Sequence, residues 1–120
     1  MTSRELNLKI LEYFPKLKNA YEDEVSWQEG DETGSHVVYG DVFVPHFEQN
    51  LNARNIEGLT YMFKFLEDLL AMEDDYAENV IAVNVIEGNE DKLIDSEIHK
   101  LLGPRTKKVL WDMINAEIPR

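Results

Sequence analysis

Leu59, Met62, Phe63, Leu66, Leu69 and Leu70 recur at the i, i+3, i+4, i+7 spacing of one helical face, the most regular pattern in the chain. A stripe of six large apolar side chains must be buried against other elements, so this helix predicts a core and the rest of the chain must supply its walls. Asn55 precedes the stripe in the position of an N-cap. Glu57, Thr60, Lys64, Glu67 and Asp68 occupy the opposite face, which predicts a solvated side.

The flanking segments supply helices rather than strands. Thr2 and Glu5 fit a capping box, and Leu6, Ile10, Tyr13 and Phe14 follow at helical spacing. Pro15 opens a short second helix or a kinked continuation to residue 25, with Leu17, Ala20, Tyr21 and Val25 inward. WQEGDETGS has two glycines and no periodic apolar residue, which predicts a mobile surface loop. Residues 37–44 and 80–86 are open to either helix or strand. Spacing of Phe43, Val44, Phe47 and Leu51 favours a helix from about Asp41 to Ala53, with Pro45 in its first turn. The β-branched run VIAVNVI has no second strand to pair with, which favours a helix with Asn84 on its buried side. Asn89 is placed to cap a helix with Ile94, Ile98, Leu101 and Leu102 inward. Gly103 and Pro104 stop one helix and start the last, 104–117, which buries Leu110, Met113 and Ile114, with Trp111 at the core edge. The expected fold is all-α: five or six short antiparallel helices in a compact bundle or short α-solenoid-like arrangement, one domain over 1–120.

Charge narrows the function classes. Twelve basic against 24 acidic residues give a net charge of -12, which repels phosphate backbones and anionic lipid. Eight acids and no base lie between Lys18 and Arg54, and nine acids and no base between Lys64 and Lys92. Lys100, Arg105, Lys107 and Lys108 form one small basic cluster. With no cysteine, disulfides, thiolate metal sites and cysteine nucleophiles are excluded. The longest apolar run is four residues, far short of the roughly 20 that span a bilayer. The N-terminal sequence is no secretory signal, and a cytoplasmic protein without nucleic-acid or membrane partners is expected.

Carboxylate density raises the question of metal. Residues 65–88, FLEDLLAMEDDYAENVIAVNVIEG, hold seven carboxylates and no base. No acidic segment has the oxygen-ligand register of a calcium loop, and no Glu-x-x-His pair occurs, so neither a metal nor another cofactor is expected. Asp95 and His99, at i, i+4 on the solvent side, are expected to be an exposed pair rather than a catalytic dyad. Candidate docking residues are the acids of the two base-free tracts, Glu22, Asp23, Glu24, Glu29, Asp31, Glu32, Glu67, Asp68, Asp74, Asp75 and Glu78, with Trp27 as an aromatic anchor. A Trp27 folded over the helix ends is the competing expectation. Asp74 or Asp75 is also placed to cap a helix. Asn84 and Glu87 are the alternative pair, for a small-molecule pocket or an enzymatic site with a histidine.

YGDVFVPHFEQNL, YMFKFLEDLLAMEDDYAENVIAVNVIEG and LLGPRTKKVLWDM together resemble a family of small acidic bacterial proteins of uncharacterised function, over roughly residues 36–114. Such proteins are similar to immunity proteins of bacterial toxin systems in size, acidity and helical content. The resemblance implies a mostly helical fold and toxin neutralisation, and it supplies no site residues. The leading expectation is a non-enzymatic, acidic protein-binding module, an immunity protein occluding a basic toxin. A ligand-binding or enzymatic domain and a structural or regulatory homo-oligomer are the alternatives.

Overall fold

The computed structural model describes residues 1–117; residues 118–120 of the expected 1–120 domain lie outside them. The described chain is helical, with no strand among the described residues. The elements are α1 (Ser3–Tyr13), α2 (Lys18–Val25), α3 (Ser35–Val38), α4 (Val44–Asn52), α5 (Ile56–Leu70), α6 (Asp75–Ile81), α7 (Glu90–Leu93), α8 (Ser96–His99) and α9 (Pro104–Glu117). Both helix-or-strand segments are helical.

Helix α5 is the centre of the core. All six stripe residues are buried, and so is Phe65, which the stripe did not include. The Phe65 ring lies 4.9 Å from Tyr13, 5.1 Å from Phe14 and 5.4 Å from Phe43, in tilted or edge-on arrangements that suit the ring quadrupoles. Tyr39 stacks on it at 6.4 Å. One side chain thus joins α1, the segment before α4, and α5.

Two π turns interrupt the expected helices. Residues Tyr39–Phe43 form the first, which makes 35–52 one continuous helical element. This element begins at Ser35, not near Asp41 as expected. Pro45 does fall in the first turn of α4, where the ladder changes from five-residue to four-residue steps. A prolyl ring within an uninterrupted α-helix would clash with the carbonyl four residues back, and the widened turn relieves this. Residues Ala82–Ile86 form the second π turn and end the element started by α6. The two π turns pack together, with Gly40 against Asn84: a Cβ on Gly40 would stand 3.3 Å from Asn84 Oδ1.

The segment expected to be a mobile loop is tied down. Asn7, fully buried on α1, donates through Nδ2 to the carbonyls of Thr33 (2.6 Å) and Asp31 (3.1 Å) and accepts at Oδ1 from the Ser35 hydroxyl (2.7 Å). Tyr76 of α6 joins the same cluster, its hydroxyl accepting from Ser35 N–H and bonding Ser3 Oγ. Buried carbonyls and hydroxyls that water cannot reach are expensive unless paired, so these bonds decide where the loop lies. The Gly30–Glu32 stretch within it forms a 3-10 turn.

The C-terminal third departs most from expectation. The helix expected after residue 89 is broken into α7 and α8, with Asp95 capping the second by accepting from Glu97 N–H. Asn89 occupies the N-cap position of α7 as expected, but its side chain makes no cap bond and its buried amide donates instead to Val85 O. Ile94 is exposed and Leu93 takes the inward position. Along α9, Thr106, Val109 and Leu110 are buried while Met113 and Ile114 are half-buried. Trp111 is exposed and packs edge-on against His99, 5.8 Å away, so it is not core. Ala20 of α2 is also exposed.

Replacing Asn7 by Ala removes the donor to the Asp31 and Thr33 carbonyls and leaves the Ser35 hydroxyl only its longer bond to Ser3 O at 3.2 Å. Urea denaturation of Asn7→Ala is expected to show a loss of about 2–3 kcal/mol; a loss under about 0.5 kcal/mol would show that the loop does not need the amide.

Candidate functional site

The acids expected to form one docking surface divide by what holds them. Glu67 is the clearest correction: it is not a solvated carboxylate but the cap of α9. It accepts from the backbone N–H of Arg105 (2.9 Å) and Thr106 (3.0 Å) and from the Thr106 hydroxyl (3.0 Å), at the positive end of that helix. Gly103 makes room for it, because a Cβ there would lie 2.4 Å from Glu67 Oε1. Asp68 accepts from Lys64 (2.8 Å) and from the Tyr13 hydroxyl (2.7 Å). The Lys64 and Tyr13 bonds lower the Asp68 pKa, and the Asp68 bond with partial burial pushes the Tyr13 phenol up to about 12.

Asp74 caps α6 through Ala77 N–H and pairs with the Met1 amino group at 2.6 Å, an ion pair that lowers its pKa. Asp31 accepts from the Tyr21 hydroxyl and lies 3.6 Å from Arg4, which also reaches Glu32 at 3.7 Å. Glu24 is half-buried against Gln28, and desolvation together with nearby Asp41 raises its pKa. The remaining candidates are exposed: Glu22, Asp23 and Glu29 around the end of α2, and Asp75 and Glu78 on α6. Of these, Glu22 pairs with Lys18 at 3.8 Å across two exposed side chains, a contact worth little.

Trp27 is not folded over the helix ends. It is 73% exposed, the most exposed large apolar side chain described. Helical geometry continues past α2 through Ser26, whose N–H donates to Glu22 O, so Trp27 stands four residues after Asp23 on the same side. The backbone just beyond it is closed by Glu29 N–H donating to the Thr33 hydroxyl, which in turn donates to Gly30 O.

Asn84 and Glu87 have different settings. Asn84 is half-buried, and its Nδ2 bonds His36 Nδ1 (2.8 Å) and Val80 O (2.9 Å), which ties the two π-turn elements together. Glu87 is exposed and lines a depression with Gly88, Glu90 and Asp91. No described depression contains both. Asp95 and His99 form no dyad: Asp95 caps α8 and pairs with Arg54 at 3.0 Å, and His99 faces Trp111. Among the described residues no three His, Asp or Glu side chains converge to hold a metal ion, and no helix is long and apolar enough to cross a membrane.

A cleft of about 210 Å³ lies where the end of α1, α4 and the start of α5 meet. Tyr13, Phe14, Lys16, His46, Asn50 and Tyr61 are among its lining residues. No local signal marks it, because its walls come from three separate segments. Its base is rigid: Asn55 Nδ2 donates to Asn50 Oδ1 (2.8 Å), Asn50 Nδ2 to His46 O (2.8 Å), and Gly58 N–H to Asn55 Oδ1. A Cβ on Gly58 would lie 2.6 Å from Asn50 Oδ1, so glycine is needed for this close approach. Desolvation, and then the charge of Lys16, lower the His46 pKa, which favours the neutral imidazole at neutral pH.

A family described as "Domain of unknown function (DUF7674)" matches residues 7–116. The chain belongs to this family. No curated protein and no solved structure matches the chain. The matched span of the DUF7674 domain takes in Asn7, Trp27 and the cleft.

Two outcomes test these assignments. Glu67→Ala should destabilise the DUF7674 domain by about 1–2 kcal/mol in urea denaturation, as loss of a helix cap does, whereas Asp23→Ala should stay within about 0.5 kcal/mol; equal effects would return Glu67 to the solvated face. The lowered His46 pKa means that the unfolded chain binds this proton more readily. Its contribution is complete above the ordinary pKa of 6.5 and is lost as pH falls through the folded value. Stability should therefore fall more steeply in the intact protein than in His46→Gln as pH drops below 6.5. The other two histidines are common to both proteins, and parallel curves would contradict the assignment.

Proposed function

We propose that this chain is a protein-binding module that presents Trp27 and the acids around the end of α2 to a basic protein. The observation that carries the proposal is Trp27, 73% exposed on a backbone stretch that Asn7 and Thr33 tie to the fold. A solvated indole carried on a held backbone is the kind of side chain that anchors an interface, because little backbone freedom remains to be lost on binding. Glu22, Asp23 and Glu29 flank it, and a partner rich in Lys and Arg would meet complementary charge that speeds encounter.

The concrete form of the proposal is an immunity protein that occludes a basic toxin. It is supported by the net charge of -12 and by the base-free tract between Lys18 and Arg54, which contains the Trp27 face. Acids already spent on caps and ion pairs, Glu67, Asp68 and Asp74, are outside the proposed face. Its core is Trp27 with Glu22, Asp23 and Glu29, and Glu32 stands at the edge beside Arg4.

On this proposal, co-expression with the product of an adjacent gene should give a complex and restore growth. Trp27→Ala should weaken that complex about 30-fold or more by calorimetry, the level of a hot-spot residue, while leaving the urea midpoint unchanged. Absence of both complex and growth rescue, or full affinity in Trp27→Ala, would overturn the proposal.

A further inference from the structure

The cleft at the start of α5 differs in charge from the rest of this acidic surface. Its lining holds no carboxylate, and Lys16 is its one cation at neutral pH. Four other depressions on the described surface each hold at least two carboxylates. Lys16 is exposed and forms no ion pair among the described residues, whereas Lys18, two residues on, reaches Glu22. The His46 ring nitrogens have no hydrogen-bond partner among the described residues, while its carbonyl accepts from Asn50 Nδ2.

Four rings line the walls, those of Tyr13, Phe14, His46 and Tyr61. Phe14 stands edge-on to Tyr61 at 5.3 Å and 80°, and edge-on to His46 at 6.2 Å and 74°. Tyr61 is held in place by its hydroxyl, which donates to Tyr13 O at 2.8 Å. A space of about 210 Å³ is ample for one substituted aromatic ring, since an apolar cavity of about 150 Å³ accommodates benzene. The walls therefore select for size and flatness, and the polar groups select for charge.

We propose that this cleft binds a small aromatic carboxylate, with a single ring among Phe14, Tyr61 and His46 and its anionic group toward Lys16. Lys16 attracts the carboxylate and repels an amine, and no acid in the lining opposes the anion. His46, with both ring nitrogens open, supplies a hydrogen bond to a polar substituent. The site is distinct from the Trp27 face and does not depend on the protein partner proposed for it.

Benzoate, benzyl alcohol and benzylamine, titrated separately into the intact chain and followed by NMR, separate the contributions. Benzoate should give saturable shifts at the His46 ring and the Gly58 amide, benzyl alcohol should bind about fivefold more weakly, and benzylamine should give none at concentrations up to about 10 mM. Lys16→Glu should weaken benzoate about tenfold or more, whereas Lys18→Glu, which changes net charge equally outside the cleft, should leave it within about twofold. Both lysines are exposed, so neither change threatens the fold. No saturable benzoate shift, benzylamine binding as tight as benzoate, or equal weakening by the two lysine changes would each overturn the proposal.

Discussion

The side-chain amide of Asn7 sets the path of the chain between its first two helices and its core. Fully buried on α1, it takes up the carbonyls of Asp31 and Thr33 and the hydroxyl of Ser35. Ser35 is the first residue of the long element that runs through the π turn into α4, so the amide fixes where that element begins. Tyr76 closes the same cluster from α6, and the Tyr39 hydroxyl donates to Leu6 O nearby. Core packing around Phe65 supplies the bulk of the driving force, since burial of large apolar side chains dominates folding. That force is not directional. The buried polar bonds are, and they select one arrangement of α1, the loop and α6.

Acidity has two uses in this molecule. One group of carboxylates is structural: Glu67 caps α9, Asp74 caps α6, Asp95 caps α8, and Asp68 joins α5 to α1 through Tyr13. Their side chains already have partners, so a docking protein would have to displace those contacts. A second group, Glu22, Asp23 and Glu29 around Trp27 and Asp75 and Glu78 on α6, projects into solvent. The cleft beside Lys16 has no carboxylate in its lining, and it lies against the start of α5. A protein-binding face and a small-molecule cleft can coexist because they are built from different segments.

Local signals in the sequence were good guides to local structure. The Thr2–Glu5 capping box, the Asn55 cap and the α5 stripe all need only residues within about three turns of each other, and all three are present. Helix for VIAVNVI was legible from the want of a pairing strand, but its widening into a π turn was not. Asn7 was missed although it had a signal: it lies beside Leu6 and three residues before Ile10, on the inward side of α1. Glu67 was assigned to solvent because its partners, Arg105 and Thr106, are 38 and 39 residues away. The cleft had no local signature, since residues 13–16, 46–50 and 55–62 meet only through tertiary packing. WQEGDETGS has the composition of a mobile loop, and what immobilises it is a side chain on another helix.

Whether the backbone that carries Trp27 is held decides the functional case, because an anchor on an ordered stretch costs less to immobilise on binding than one on a mobile loop. Backbone NMR order parameters across residues 26–34 measure this directly. A loop held by Asn7 and Thr33 gives values near those of the helices, about 0.85. Values below about 0.6 across the segment would contradict it, and with it the claim that a buried amide in α1 presents the binding face.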